Sequence, residues 1–127
     1  MDFESSLTLE LKSIPELQNR VYPLSAPEKT PSPYIVYLSS EGTKSKSVSD
    51  GYLEGKLVGC EINVIAAKYS VLKEVTRRVV DLLISMERRV IGNKGPFVQE
   101  LTYETPIELY EAEPNLYRCV IEIKVYF

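Results

Sequence analysis

The sequence predicts an α+β fold: a two-layer sandwich of mainly antiparallel β-sheet, with a long amphipathic helix at about 70–90 and a shorter N-terminal helix packed against it. Three observations predict it. Between Ser70 and Val90 the apolar residues Val71/Leu72, Val75, Val79, Leu82/Leu83, Met86 and Val90 recur with a helical period. Lys73, Glu74, Arg77, Arg78, Asp81, Glu87 and Arg88 occupy much of the other side, so this helix needs one surface to bury against. The stretches 53–66 and 116–127 alternate along their length, as strands covered on one face do.

Composition sets the bounds. A chain of 127 residues, 44% apolar and 26% charged, suits one domain over 1–127. At that size roughly two thirds of the unfolded surface can be covered without disulfides or metal. The formal net charge is −3, which gives no overall electrostatic signature of nucleic-acid binding. The charge is uneven: residues 68–94 hold seven Lys/Arg and three Asp/Glu, whereas 97–127 hold six acids and two bases. Such segregation suits head-to-tail subunit contacts, or neighbouring elements that offset each other within one subunit. Cys60 and Cys119 lie in apolar alternating runs and read as small buried hydrophobes. A disulfide between them stays open if their strands are neighbours. The polar, acidic start MDFESSLTLEL is no signal peptide, and no apolar run approaches the roughly 20 residues that span a bilayer. Folding in a cytoplasm is expected.

In order along the chain, residues 2–13 predict a short helix, with Phe3, Leu7, Leu11 and Ile14 on one side and Asp2 as cap. Pro15 stops it or opens a further turn through Glu16, Leu17 and Gln18. Arg20–Pro23 reads as extended, and LSAPEKTPSP as irregular chain, because its prolines remove donors and fix φ. Tyr34–Ser40 reads as a strand with Tyr34, Val36 and Leu38 on one face and Ile35 and Tyr37 on the other. Both faces are apolar, which predicts cover on both sides, by helix or by a neighbouring subunit. Residues 41–52 are polar and predict a flexible, solvated loop or hairpin tip. In 53–66, Val58, Cys60, Ile62, Val64 and Ala66 share one face. Ser70 is the expected N-cap of the long helix, Gly92 its stop, and Arg88 and Arg89 its favourable last-turn cations. A strand is expected over 97–105, an edge fragment at Ile107–Tyr110, and a near-central strand at the C-terminus.

No catalytic, cofactor or metal site emerges. The chain has no histidine, hence no His general base or His zinc ligand. No G-x-S-x-G elbow and no phosphate loop occur. Glu100, Glu104, Glu108, Glu111 and Glu113 cluster in sequence but nothing sets a carboxylate separation, so a solvated or intersubunit sheet face is expected there. The basic helix side is the better contact candidate. The residues singled out for subunit or connector contacts are Lys44, Lys46, Lys73, Arg77, Arg78, Arg88 and Arg89, with Tyr34 and Tyr37.

The order and local flavour of these segments resemble the small tail-completion, or head–tail joining, proteins of long-tailed phages and prophages. The resemblance rests on LTLELKSIPEL, then Arg20–Pro23 with Pro33–Tyr37, then INVIAAKYSVLKEVTRRVVDLL, and finally YRCVIEIKVYF. It covers nearly the whole chain and treats it as a single tail-completion-like domain. It implies a small α+β subunit, no enzyme and no cofactor, that assembles as a ring, usually hexameric, at the head-proximal end of the tail. The implied partners are copies of itself, the tail-tube protein and the head-completion or connector protein, with DNA only as cargo through the channel and no membrane. The implied location is the virion, after synthesis in the host bacterial cytoplasm. A related tail-terminator family shares the architecture. Two other classes stand beside it: a nucleic-acid-associated module using the basic helix, which predicts salt-dependent affinity, and a small carboxylate-dependent enzyme, which requires a concave site.

Overall fold

A computed structural model gives the fold and describes residues 1–127, the side chain of Ser45 excepted. The elements are α1 (Phe3–Lys12), a 3-10 turn at Pro15–Leu17, β1 (Val21–Pro23), β2 (Tyr34–Ser39), β3 (Thr43–Ser47), β4 (Gly51–Ala66), α2 (Tyr69–Met86), β5 (Glu100–Tyr103), β6 (Ile107–Glu111) and β7 (Leu116–Tyr126). The strands form one sheet in the order β1-β2-β4-β7-β5, with β3 also beside β4 and β6 also beside β7. Every pairing is antiparallel except β1 with β2. The expected α+β class and helix-on-sheet layering are both present.

The spine is the pairing of β4 with β7, in register from Leu57↔Tyr126 to Ala66↔Tyr117. Each of these long strands is flanked by a broken one. Along β4 run β2 and then β3, interrupted near Gly42, whose φ of +83° suits a residue without Cβ. Along β7 run β5 and then β6, interrupted at Pro106, which cannot donate to a ladder. At the sheet's end Phe127 and Lys56 exchange backbone bonds of 2.7 and 3.0 Å. Beyond them β3 and the first residues of β4 continue as a two-stranded arm. The polar 41–52 stretch is thus the hairpin tip of that arm, the second of the two forms expected for it. Its side chains hide the strand because neither face of the arm is buried, so no alternation is selected.

One face of the sheet carries the core. Val58, Cys60, Ile62, Val64 and Ala66 of β4, Cys119, Ile121, Ile123 and Val125 of β7, and Ile35 and Tyr37 of β2 are all buried. Over them lie Leu72, Val75, Val79, Leu83 and Met86 of α2 and Phe3, Leu7 and Leu11 of α1. Phe3 stacks on Phe127 with ring centroids 5.2 Å apart. Asp2 caps α1, accepting from the Ser5 N–H at 2.8 Å. The cysteines sit on adjacent strands, but Cys60 faces Ile123 and Cys119 faces Val64. That offset of four residues is about 13 Å along the strand, too far to bridge; both thiols are free. Burial pushes the Cys60 thiol up to about 12.

Three expected boundaries change. The long helix starts at Tyr69, with Lys68 in the N-cap position, so Ser70 lies inside it and caps nothing. It stops at Met86, short of Gly92. Arg88 takes φ +62°, its N–H donates to Val98 O at 2.6 Å, and the Val98 N–H donates to Arg89 O at 3.0 Å. The Glu87 carboxylate accepts from the Leu101 N–H at 2.9 Å. Pairing with the following segment replaces the last helical turn, which leaves Val90 52% exposed. The strand expected over 97–105 is only Glu100–Tyr103 with a bridge at Phe97. Val98 and Leu101 are both buried although three residues apart, so the pleat changes phase between them.

The α2 stripe should therefore carry stability by position. Leu83→Ala, at a fully buried site, is expected to cost about 2–5 kcal/mol in urea unfolding. Ile84→Ala, one position on and 53% exposed, should stay within about 0.5 kcal/mol.

Candidate assembly surfaces

Three of the five basic candidates on and after the long helix, Lys73, Arg78 and Arg89, are engaged inside the subunit. Lys73 Nζ meets Glu108 Oε1 at 2.5 Å, and Arg78 pairs with Glu16 and, at 3.6 Å, with Glu74. The Lys73 hydrogen bond holds the Glu108 carboxyl below its ordinary value, and Glu108 holds Lys73 above its own. The basic 73–89 segment and the acidic 97–113 segment do attract each other, but through Lys73 and Glu108 of one chain. Arg77 and Arg88 are exposed and enter no ion pair among the described residues.

Arg89 is an internal clamp. Its guanidinium donates to both Glu10 oxygens, at 2.7 and 3.0 Å, while Glu10 Oε2 also accepts from the Gly92 N–H at 2.8 Å. These bonds tie α1 to the turn after α2. Gly92, at φ +65°, approaches so closely that a Cβ there would lie 2.8 Å from the Ser6 backbone. Tyr37 is likewise interior: its phenol accepts from the Thr8 hydroxyl at 2.9 Å, and burial raises its titration. Tyr34 lies on the opposite face, in a hollow of about 540 Å³ beside Val36, Ile65, Arg118 and the segment 24–30. Lys44 is exposed on the arm, and Lys46 sits 5.2 Å over the Tyr52 ring.

The surface left for a partner is the sheet face away from the helices. In antiparallel register, directly opposed residues share a face, so this face is built from Tyr34, Val36 and Leu38 of β2, Gly59, Glu61, Asn63 and Ile65 of β4, and Arg118, Val120, Glu122 and Lys124 of β7. Arg118 organises one end, donating to Glu111 at 2.5 Å and to Asn63 Oδ1 at 3.1 Å. Leu38, Leu109 and Ile107 remain 40%, 48% and 60% exposed. Within the subunit the helices cover one side of β2; on the other, the 24–30 segment leaves Tyr34 and Val36 half-buried and Ile65 buried, so the face is open mainly from Leu38 and Glu61 onward. At the centre Glu61 stands directly opposite Glu122. Sequence reasoning missed this pair, and also Lys56 and Glu10, because each acquires meaning only from strand register or from a contact between distant elements. Among the described residues, no group of three or more His, Cys, Asp or Glu is placed to hold a metal ion. Among the described residues, no helix is long and apolar enough to cross a membrane.

No protein-family model matches the chain, and no curated protein matches it. Solved structures share its fold. One is a chain from the virion of a native gene transfer agent (GTA) particle, which superposes with TM-score 0.62 at 18% identity, covering 91% of this chain and 82% of that one. A second, whose name states no function, superposes with TM-score 0.58 at 14% identity, covering 98% of this chain and 88% of its own.

The Glu10 clamp makes a pH prediction. Hydrogen bonds from Arg89, and then from Gly92, hold the Glu10 carboxyl below its ordinary value. A lowered folded-state value adds stability above the ordinary carboxylate range, and that stability is lost as pH falls through the lowered one. Glu10→Gln should cost about 1–2 kcal/mol at neutral pH, a modest figure because Arg89 is 38% exposed. The difference from wild type should close in acid, as read by urea unfolding across pH.

Proposed function

We propose that this chain is a virion structural protein that completes or terminates the tail of a long-tailed phage-like particle and joins it to the head connector. Copies form a ring, hexameric by the resemblance, around a channel through which DNA passes as cargo. The tail-tube protein and the head-completion protein bind its two ends. The protein is made in the host cytoplasm and ends at the head–tail interface. The observation that carries this reading is the fold shared, over 91% of the chain, with a component of a gene transfer agent virion. The sequence order that resembles tail-completion proteins supports it independently.

The subunit's own chemistry agrees with an architectural role. Glu10, Glu16, Glu108 and Glu111 are engaged in ion pairs within the fold. What remains presented is shape: an arm that outruns the sheet, and a broad sheet face with apolar residues around a charged centre. Assembly proteins work through such complementary patches and need no turnover. Lys68, Arg77, Arg88 and Lys94, the exposed bases of residues 68–94 that enter no ion pair among the described residues, are spread from the N-cap of the long helix to the turn after it rather than set in the continuous basic stripe that phosphate tracking uses.

A particle-forming phage or prophage with an early stop codon in this gene is expected to accumulate DNA-filled heads and separate tails in electron micrographs. Adding the purified protein should restore joined particles. Normal joining in its absence would refute the reading.

A further inference from the structure

We propose that the arm of one copy docks on the open sheet face of a second copy, setting its Lys44–Lys56 pair over the neighbour's Glu61–Glu122 pair. This rests on the ring reading above only for the setting in which the contact is used. The observation behind it is a pair of complementary frustrations. Glu61 is registered directly opposite Glu122, and Lys44 directly opposite Lys56. Like charges facing each other across two strands destabilise a sheet; Lys124 lies two residues from Glu122 on the same face, and Asp2, Glu4 and Glu41 share a hollow with Lys56, but among the described residues the one ion pair these make with either like-charged pair is Lys56 with Glu41. Glu61 and Glu122 enter no ion pair among the described residues. Lys56 reaches only Glu41, at 3.8 Å, and that side chain is 95% exposed, so water screens the contact.

The face has room for an occupant. Gly59 lies beside the acids, and a Cβ built there meets nothing within 4 Å. The hollow around it measures about 640 Å³ and is lined by Leu38, Glu61, Thr102, Tyr103 and Glu122 among others. Leu38 and Tyr103 are 40% and 43% exposed, giving apolar flanks to an acidic centre. The arm brings the matching surface: its lysines, with Tyr52 and Leu53 exposed nearby.

Geometry selects a second copy rather than the chain's own arm. Lys56 lies on the same side of β4 as Val58, the helix side, whereas Glu61 lies on the other. A subunit cannot bring its own lysine pair to its own acids. Two copies in the same orientation can, because the underside of one arm meets the upper face of the next sheet. Such a contact is head-to-tail and repeats until it closes. The Gly51–Lys56 stretch of the arm extends about 20 Å at strand rise, enough to lie across several neighbouring strands.

Sedimentation velocity of the full chain in low salt, at concentrations up to about 1 mM, tests this. Wild type is expected to self-associate in a concentration-dependent way. The K44E/K56E variant and the E61K/E122K variant should each weaken association roughly tenfold or more. The chain carrying all four changes should recover it, and so should an equimolar mixture of the two double variants. Circular dichroism melting of each variant separates loss of association from loss of fold. A wild type that stays monomeric throughout, or a fourfold variant no better than the folded double variants, would overturn the docking. If the docking fails while particles lacking the protein still fail to join, only this inference falls. If the charge swap behaves as expected while particles join without the protein, the tail-joining role falls and the docking stands.

Discussion

Everything in this subunit depends on the register between β4 and β7. Those two strands pair over ten residues, from Leu57↔Tyr126 to Ala66↔Tyr117, and strand side chains alternate with period two. A slip of one residue between them would move one strand's whole inward set, Cys119, Ile121 and Ile123 of β7 for example, to the wrong face together while β4 kept its own. The burial of both helices on that face makes the register costly to change. The broken strands β2/β3 and β5/β6 then take their places along its two edges.

The same register sorts the charges. On the covered side the ionisable groups at the margins find partners: Lys73 with Glu108, Arg78 with Glu16, and Arg89 with Glu10. These links connect α2 and the turn after it to β6, to the 3-10 turn and to α1, so they brace the layer rather than advertise it. On the open side, register places Glu61 against Glu122 with no such relief. The open face does pair Arg118 with Glu111 at one end, but at its centre the opposed glutamates are left facing each other.

The central strands and the helix stripe were legible in the sequence because burial on one face writes a period into the residues: two for Val58–Ala66 and Tyr117–Phe127, near 3.6 for Leu72–Met86. Where burial does not select, the signal fades. The arm has no covered face, so its outer part, 41–52, reads only as a solvated loop or hairpin tip, while 53–56 reads as strand with the rest of β4. The helix end was misplaced because Gly92 looks like a stop, while the actual stop at Met86 comes from pairing of Arg88 and Arg89 with Val98, a partner ten residues away that no local pattern reveals. For the same reason Arg89 read as a surface cation, although Glu10, remote in sequence, holds it against α1. The opposed glutamates were invisible for want of register. The resemblance to tail-completion proteins rested on the order of elements, and the shared fold with a gene transfer agent component is consistent with it.

The central claim is that the helix layer is complete within the subunit while the arm and the open sheet face await partners. Hydrogen–deuterium exchange on the free protein and on joined particles tests it directly. The account predicts that the amides of the arm, 43–56, exchange fast in the free chain and become protected on assembly. The amides of α2 and of the β4–β7 ladder should be protected in both states. Unchanged, rapid exchange in the arm, with new protection gained at α2 instead, would contradict it.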